Sequence, residues 1–132
     1  MNDAVAWYNS LIQPAFAPPA WVFGPVWTVL YVVIAVSYGY VAWLALRRRL
    51  PWAVVLPFAL NLLFNLAFTP IQFGLRNNLL AALDILAVLA TLVWALLAIR
   101  PHRRWVALVN LPYLAWVVFA TMLQLSITWL NR

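Results

Sequence analysis

The sequence predicts an all-α integral membrane protein, a single helical bundle of four transmembrane helices preceded by a Pro/Trp-rich loop. Three observations carry that reading. Of the 132 residues, 68% are hydrophobic and 8% are charged, too little polar surface for a soluble domain. Four apolar runs each exceed the about 20 residues that a helix needs to cross a bilayer core. The eight basic residues are all arginines and gather at the ends of those runs, where membrane topology is decided.

Residues 1–20 form the leading loop, with Trp7, Tyr8, Phe16 and the prolines Pro14, Pro18 and Pro19. Pro18 and Pro19 disfavour helix before them and suit an extended approach to a helix start. Trp7 and Tyr8 also suit interfacial anchoring. The opening MNDAVAWYNS has no basic stretch ahead of an apolar core, so no cleavable signal is expected.

The first helix is expected over residues 21–46. Pro25 lies near its start, where a missing N–H costs little. Trp27, Tyr31 and Tyr38 fall on one face, and Ala35 and Gly39 form a small-residue pair suited to close helix approach. Arg47, Arg48 and Arg49 end this helix, and Pro51 begins the second, expected over residues 51–75. Its segment NLLFNLAFTPIQ places Asn61, Asn65, Phe68 and Gln72 at helical spacing on one face. Lipid offers amides no hydrogen-bond partner, so this stripe must look into the bundle, onto another helix or onto something bound there. Pro57 and Pro70 should bend the helix or break its ladder.

Arg76, Asn77 and Asn78 make a turn into the third helix, expected over residues 79–99, which holds Asp84, the one acidic residue within an apolar run. Arg100 to Arg104, with His102, form the next loop. The fourth helix, expected over residues 105–130, carries Asn110, Pro112, Tyr113, Trp116, Thr121 and Gln124. Trp116, Ala120 and Gln124 share a face.

Four spans put both termini on one side. The loops after the first and third helices hold six arginines, against Arg76, Arg132 and Asp3 on the other side. The positive-inside rule then places the arginine-rich loops in the cytoplasm and both termini outside, in a bacterial inner membrane. The net charge of +6 thus reflects topology, and no nucleic-acid partner is expected. There is no cysteine, hence no disulfide framework, thiolate metal site or cysteine nucleophile. No Ser/His/Asp set, metal-ligand cluster or glycine-rich phosphate loop is present.

A flat aromatic macrocycle needs apolar walls, stacking partners and a few fixed polar groups. Trp27, Tyr31, Phe68 and Trp116 supply walls, and Asn65 and Gln124 supply donors. Core packing is the competing role for each aromatic residue, and interhelical hydrogen bonding is the competing role for Asn61, Asn65 and Gln72. His102 is the only histidine and sits in an arginine loop, so no histidine at membrane depth can ligate haem iron. Met122 or a tyrosine would do so only weakly. Asp84 suits a structural role near a helix start, pairing with an arginine or a polar group. Its alternative role is the proton-relay carboxylate of a small four-helix transporter.

The residues carry a resemblance. WYNSLIQPAFAPPAWVFGPVWTVLY resembles the loop and helix signature of the translocator protein family, the tryptophan-rich sensory proteins or TspO/MBR family. FNLAFTPIQFG, LAALDILAV and PYLAWVVFATMLQ resemble its later helices, in order and correctly spaced. The resemblance implies an intrabundle pocket for porphyrin-type or similar hydrophobic ligands, with tetrapyrrole sensing, transport or light-dependent breakdown as the associated activities. Carried over by motif, the pocket residues are Trp27, Asn65, Phe68 and Trp116, with Tyr8, Pro18, Pro19 and Trp21 from the loop or its edge. Tyr31, Ala120 and Asp84 also match family positions. Light-dependent chemistry would fall to Trp27 and Trp116.

Three departures stand beside it. The family's usual first helix precedes the Trp-Tyr motif, where only six residues stand here, so a short form lacking that helix is expected. Leu66 and Phe68 stand where many members have tryptophan. LQLSITWLNR lacks the tyrosine of the sterol-associated pattern, itself a weak signal. The reading therefore expects a metal-free, protoporphyrin-like ligand in preference to haem, with no cofactor required. Its partners are the lipid bilayer and, to cover the amide stripe, a second copy or a different membrane protein. The alternatives are a small subunit of a larger membrane assembly and an Asp84-dependent transporter.

Overall fold

The computed structural model describes residues 10–12, 22–71, 75 and 77–131. They contain the helices α1 (Phe23–Leu46), α2 (Trp52–Thr69), α3 (Asn78–Ile99), α4 (Arg104–Val109) and α5 (Leu111–Leu130). The fold is an all-helical bundle. α1, α3 and α5 are long and apolar enough to cross a membrane, and α2 is a shorter apolar helix.

Helix ends follow local chemistry. α1 stops where Arg48 turns left-handed, with φ of 55°. The Arg49 N–H then bonds the Leu44 carbonyl at 2.9 Å and the Arg48 N–H bonds that of Ala45 at 3.0 Å, a Schellman closure. At α3, the Asn77 side chain accepts from the Leu80 N–H at 2.9 Å, an N-cap.

Two boundaries differ from the sequence expectation. α2 runs unbroken through Pro57 but ends at Thr69, well short of residue 75. Pro70 caps it, and the Leu75 N–H reaches the Pro70 carbonyl at 2.9 Å, a widened turn that cannot extend an α-helix. The expected helix over residues 105–130 is two helices. Pro112 stands in the first turn of α5, where its missing N–H is tolerated, but its ring opposes continuation from the turn before. Asn110 occupies the break, and its side-chain N–H donates to the Val106 carbonyl at 2.8 Å. One helical carbonyl left open by the break is thereby satisfied.

α2 and α3 make the most extensive helix pair, α3 and α5 the next, and α1 meets the others at few close backbone approaches. The core holds Leu44, Leu92, Ile99, Val106 and Val117, all fully buried. Lipid is as apolar as these side chains, so packing and interhelical hydrogen bonds hold such a bundle in place of the hydrophobic effect. Ala35 and Gly39 are exposed, and nothing lies within 4 Å of where a Gly39 Cβ would sit. This pair therefore mediates no close approach among the described residues. α1 turns Tyr38, Ile34 and Leu30 inward instead and bridges the gap with long side chains.

Candidate ligand-binding site

Asn61 is the centre of the buried polar chemistry, with 0% of its surface exposed. Its side-chain oxygen accepts from Tyr38 Oη at 2.7 Å and from Tyr113 Oη at 3.1 Å. Its nitrogen donates to the Val88 carbonyl at 2.9 Å and to Thr91 Oγ1 at 3.2 Å. Two lone pairs and two N–H groups are the whole capacity of an amide, so Asn61 is saturated by α1, α3 and α5 together.

Asn65, one turn on and 5% exposed, is not saturated. Its oxygen accepts from Tyr31 Oη at 2.8 Å, and its nitrogen donates to Tyr113 Oη at 2.6 Å. By the same accounting one N–H and one lone pair remain without a partner among the described residues. Towards the other end, Asn110 donates to Ser37 Oγ at 3.0 Å and ties α1 to the α4–α5 break.

Helix register then places an aromatic layer. Tyr31 bonds Asn65 and Tyr38 bonds Asn61, so α1 runs antiparallel to α2. Gln124 and Thr128 side chains both donate to the Asn78 carbonyl, at 3.3 and 3.0 Å, so α5 runs antiparallel to α3 and parallel to α2. Trp27 precedes Tyr31 by a turn, Phe68 follows Asn65 and Trp116 follows Tyr113. All three displacements lead to the same end of the bundle, away from the arginine loops. Trp27, Phe68, Trp116 and Ala120 are half-buried. The Trp27 ring lies 5.5 Å from Tyr31 and 6.4 Å, edge-on, from Tyr113, and Trp116 lies 5.4 Å from Phe119. A segment of the leading chain reaches the same end, where Ile12 and Asn131 exchange hydrogen bonds of 3.0 and 2.8 Å.

Asp84 lies one turn from Val88 towards this layer and is 8% exposed, with Oδ2 lacking a hydrogen-bond partner among the described residues. The expected arginine pairing is not found among the described residues, whose arginines all stand at the opposite end of the bundle. Gln124 contributes to a staple between α5 and α3, its nitrogen also reaching Thr128 Oγ1 at 3.2 Å. His102 is exposed at the arginine end, far from the layer. Tyr8, Pro18, Pro19, Trp21 and Gln72 lie outside the described residues.

The structure corrects one expectation. Asn61 needs no second chain to cover it, because Tyr38, Tyr113, Thr91 and the Val88 carbonyl already supply its partners. Asn65 is buried with one bond to each side-chain atom, from Tyr31 and Tyr113, while Gln72 lies outside the described residues. Sequence reasoning named the amides and missed this partner set. The available signal was that Tyr31, Tyr38 and Tyr113 all fall within apolar runs, where a hydroxyl must find an acceptor.

Fold and site together define the class: an integral membrane helical bundle whose buried polar floor is overlaid by half-buried aromatic residues at one end. The TspO/MBR family model matches residues 1–130, and the chain belongs to that family. It is 35% identical over 128 residues to the tryptophan-rich protein TspO of Archaeoglobus fulgidus, covering 95% of this chain and 80% of the relative. It is 31% identical over 125 residues to the protein of that name from Chlorobaculum tepidum, covering 95% and 79%. The human translocator protein is 37% identical over 127 residues, covering 93% and 73%.

Proposed function

We propose that this protein binds a flat hydrophobic ligand of the metal-free porphyrin type in the aromatic layer formed by Trp27, Phe68 and Trp116. The supporting observation is the residual N–H and lone pair of Asn65 beside that layer. A macrocycle there would gain stacking area from the rings and one fixed polar contact, the combination that small-molecule sites use. No histidine can approach from the arginine end, so the site offers an iron porphyrin no strong axial ligand. Protoporphyrin and its iron complex, titrated separately into the protein in nanodiscs, test this. Binding of the metal-free form without weaker affinity, and no axial-ligand change in the iron spectrum, are expected. Selective, tight binding of the iron form would refute the reading.

The same reading places the protein in a bacterial inner membrane, with the arginine end in the cytoplasm. The unpaired Asp84 oxygen favours a second reading, a small proton-linked transporter in which Asp84 carries the proton. Uptake into proteoliposomes that follows a proton gradient and is abolished by Asp84→Asn would favour it over ligand binding alone.

A further inference from the structure

The arginine end carries a surface that the aromatic layer leaves unexplained. An open groove of about 290 Å³ runs between α3 and the broken α4–α5 pair, with Val93, Leu97, Leu108 and Leu111 as apolar walls and Arg100 and Arg104 at its end. A second hollow of about 420 Å³ adjoins it, lined by the same two arginines with Leu97 and Pro101. The break at Asn110 shapes the groove, because α4 and α5 both contribute walls.

The arginines of this end divide into two sets. The Arg47 and Arg49 guanidinium carbons lie 5.2 and 5.9 Å from the centre of the Trp43 ring. Arg103 donates to Tyr40 Oη at 3.0 Å and to the His102 carbonyl at 2.7 Å. The side chains of Arg48, Arg100 and Arg104 have no hydrogen bond or ion pair among the described residues, and all three are exposed, but only Arg100 and Arg104 line the groove. The acid among the described residues, Asp84, lies sixteen residues back along α3 from Arg100, about 24 Å of helix rise. Two guanidinium groups thus share one rim with no countercharge.

The groove below them points into the apolar slab. From Arg100 back to Val93 is seven residues, about 10 Å of descent. An occupant must therefore be anionic at the rim and aliphatic below it, and it must reach the site from the bilayer. We infer that this groove is a binding site for an anionic phospholipid. Its phosphate accepts hydrogen bonds from Arg100 and Arg104, a fork geometry that guanidinium supplies, and one acyl chain lies along Leu97, Leu108 and Leu111. Basic recesses between membrane helices hold such headgroups by the same chemistry.

Native mass spectrometry of the full chain, with phosphatidylglycerol or phosphatidylcholine titrated into detergent, tests the inference. Retention of phosphatidylglycerol about tenfold or more above phosphatidylcholine is expected, with that preference lost in Arg100→Gln/Arg104→Gln. Arg47→Gln/Arg49→Gln, at the same end, should keep the preference to within about twofold, since those side chains are engaged with Trp43. Leu108→Trp, which narrows the groove and leaves both arginines, should weaken phosphatidylglycerol and keep the protein folded by circular dichroism. Equal loss in the two arginine pairs would mean a diffuse basic surface, and the site would be withdrawn. Inorganic phosphate or glycerol phosphate displacing the lipid at equal concentration would likewise overturn it, by showing a phosphate site with no use for the groove.

Discussion

Asn61 and Asn65 are the same residue type one helical turn apart, and their surroundings give them different work. Asn61 makes four hydrogen bonds to three helices and has nothing left for a ligand. Removing it would strand two buried hydroxyls. Interhelical hydrogen bonds in membranes average about 0.6 kcal/mol, but orphaned buried groups cost about 1–3 kcal/mol. Here the orphans dominate, because Tyr38 and Tyr113 lose a shared acceptor at once. Asn61→Leu is expected to destabilise the bundle by about 2–4 kcal/mol in reversible unfolding in mixed detergent micelles. Thr91→Val, which removes one bond from an amide with others, should cost less than about 1 kcal/mol. Comparable losses in the two variants would show that Asn61 is no hub. The sequence made the amide stripe legible through its spacing. Which tyrosines serve it was not legible, because that depends on the register between helices distant in the chain.

At the scale of elements, apolar length alone located the helices, and proline chemistry decided where they end. Pro57 is accommodated inside α2, whereas α2 ends before Pro70 and Pro112 falls in the first turn of α5. At the α4–α5 break the Val106 carbonyl is taken by Asn110, which is fully buried and also bonded to Ser37. Asn110→Ala should cost about 1–3 kcal/mol and loosen α1 from the break, which faster hydrogen exchange around Ser37 would report. Unchanged exchange would mean that packing alone fixes this corner. The end of α1 invites the opposite change. Arg48 holds a left-handed conformation at a position that helices usually give to glycine, so Arg48→Gly should raise stability by roughly 0.5–1 kcal/mol. A loss of stability would indicate that the Arg48 side chain contributes more than its backbone costs.

At the scale of the whole molecule, the bundle has two unlike ends: at one, arginines lie over Trp43 and bond the Tyr40 hydroxyl, and at the other an aromatic layer overlies a polar floor. The positive-inside rule turns that asymmetry into an orientation. In this cysteine-free chain, an impermeant thiol reagent applied outside should modify Ile12→Cys and spare Arg48→Cys, and the reverse pattern would invert the topology. Asn61 and Asn65 are buried within the chain, so these two amides make no demand for a second copy. The outward Ala35 and Gly39 leave a close helix contact available, which mass measurement in nanodiscs would report as a dimer. The proposed binding function belongs to the aromatic end. Its most direct test is titration of protoporphyrin into nanodisc-embedded protein, read by porphyrin absorption, for the unaltered chain, Trp27→Phe, Asn65→Leu and the arginine-end control Trp43→Phe. Loss of one fixed contact at about 1–3 kcal/mol corresponds to roughly five- to hundredfold weaker binding. That weakening is predicted for Trp27→Phe and Asn65→Leu at unchanged helicity, with Trp43→Phe unaffected. Equal affinity in all four proteins would contradict the account.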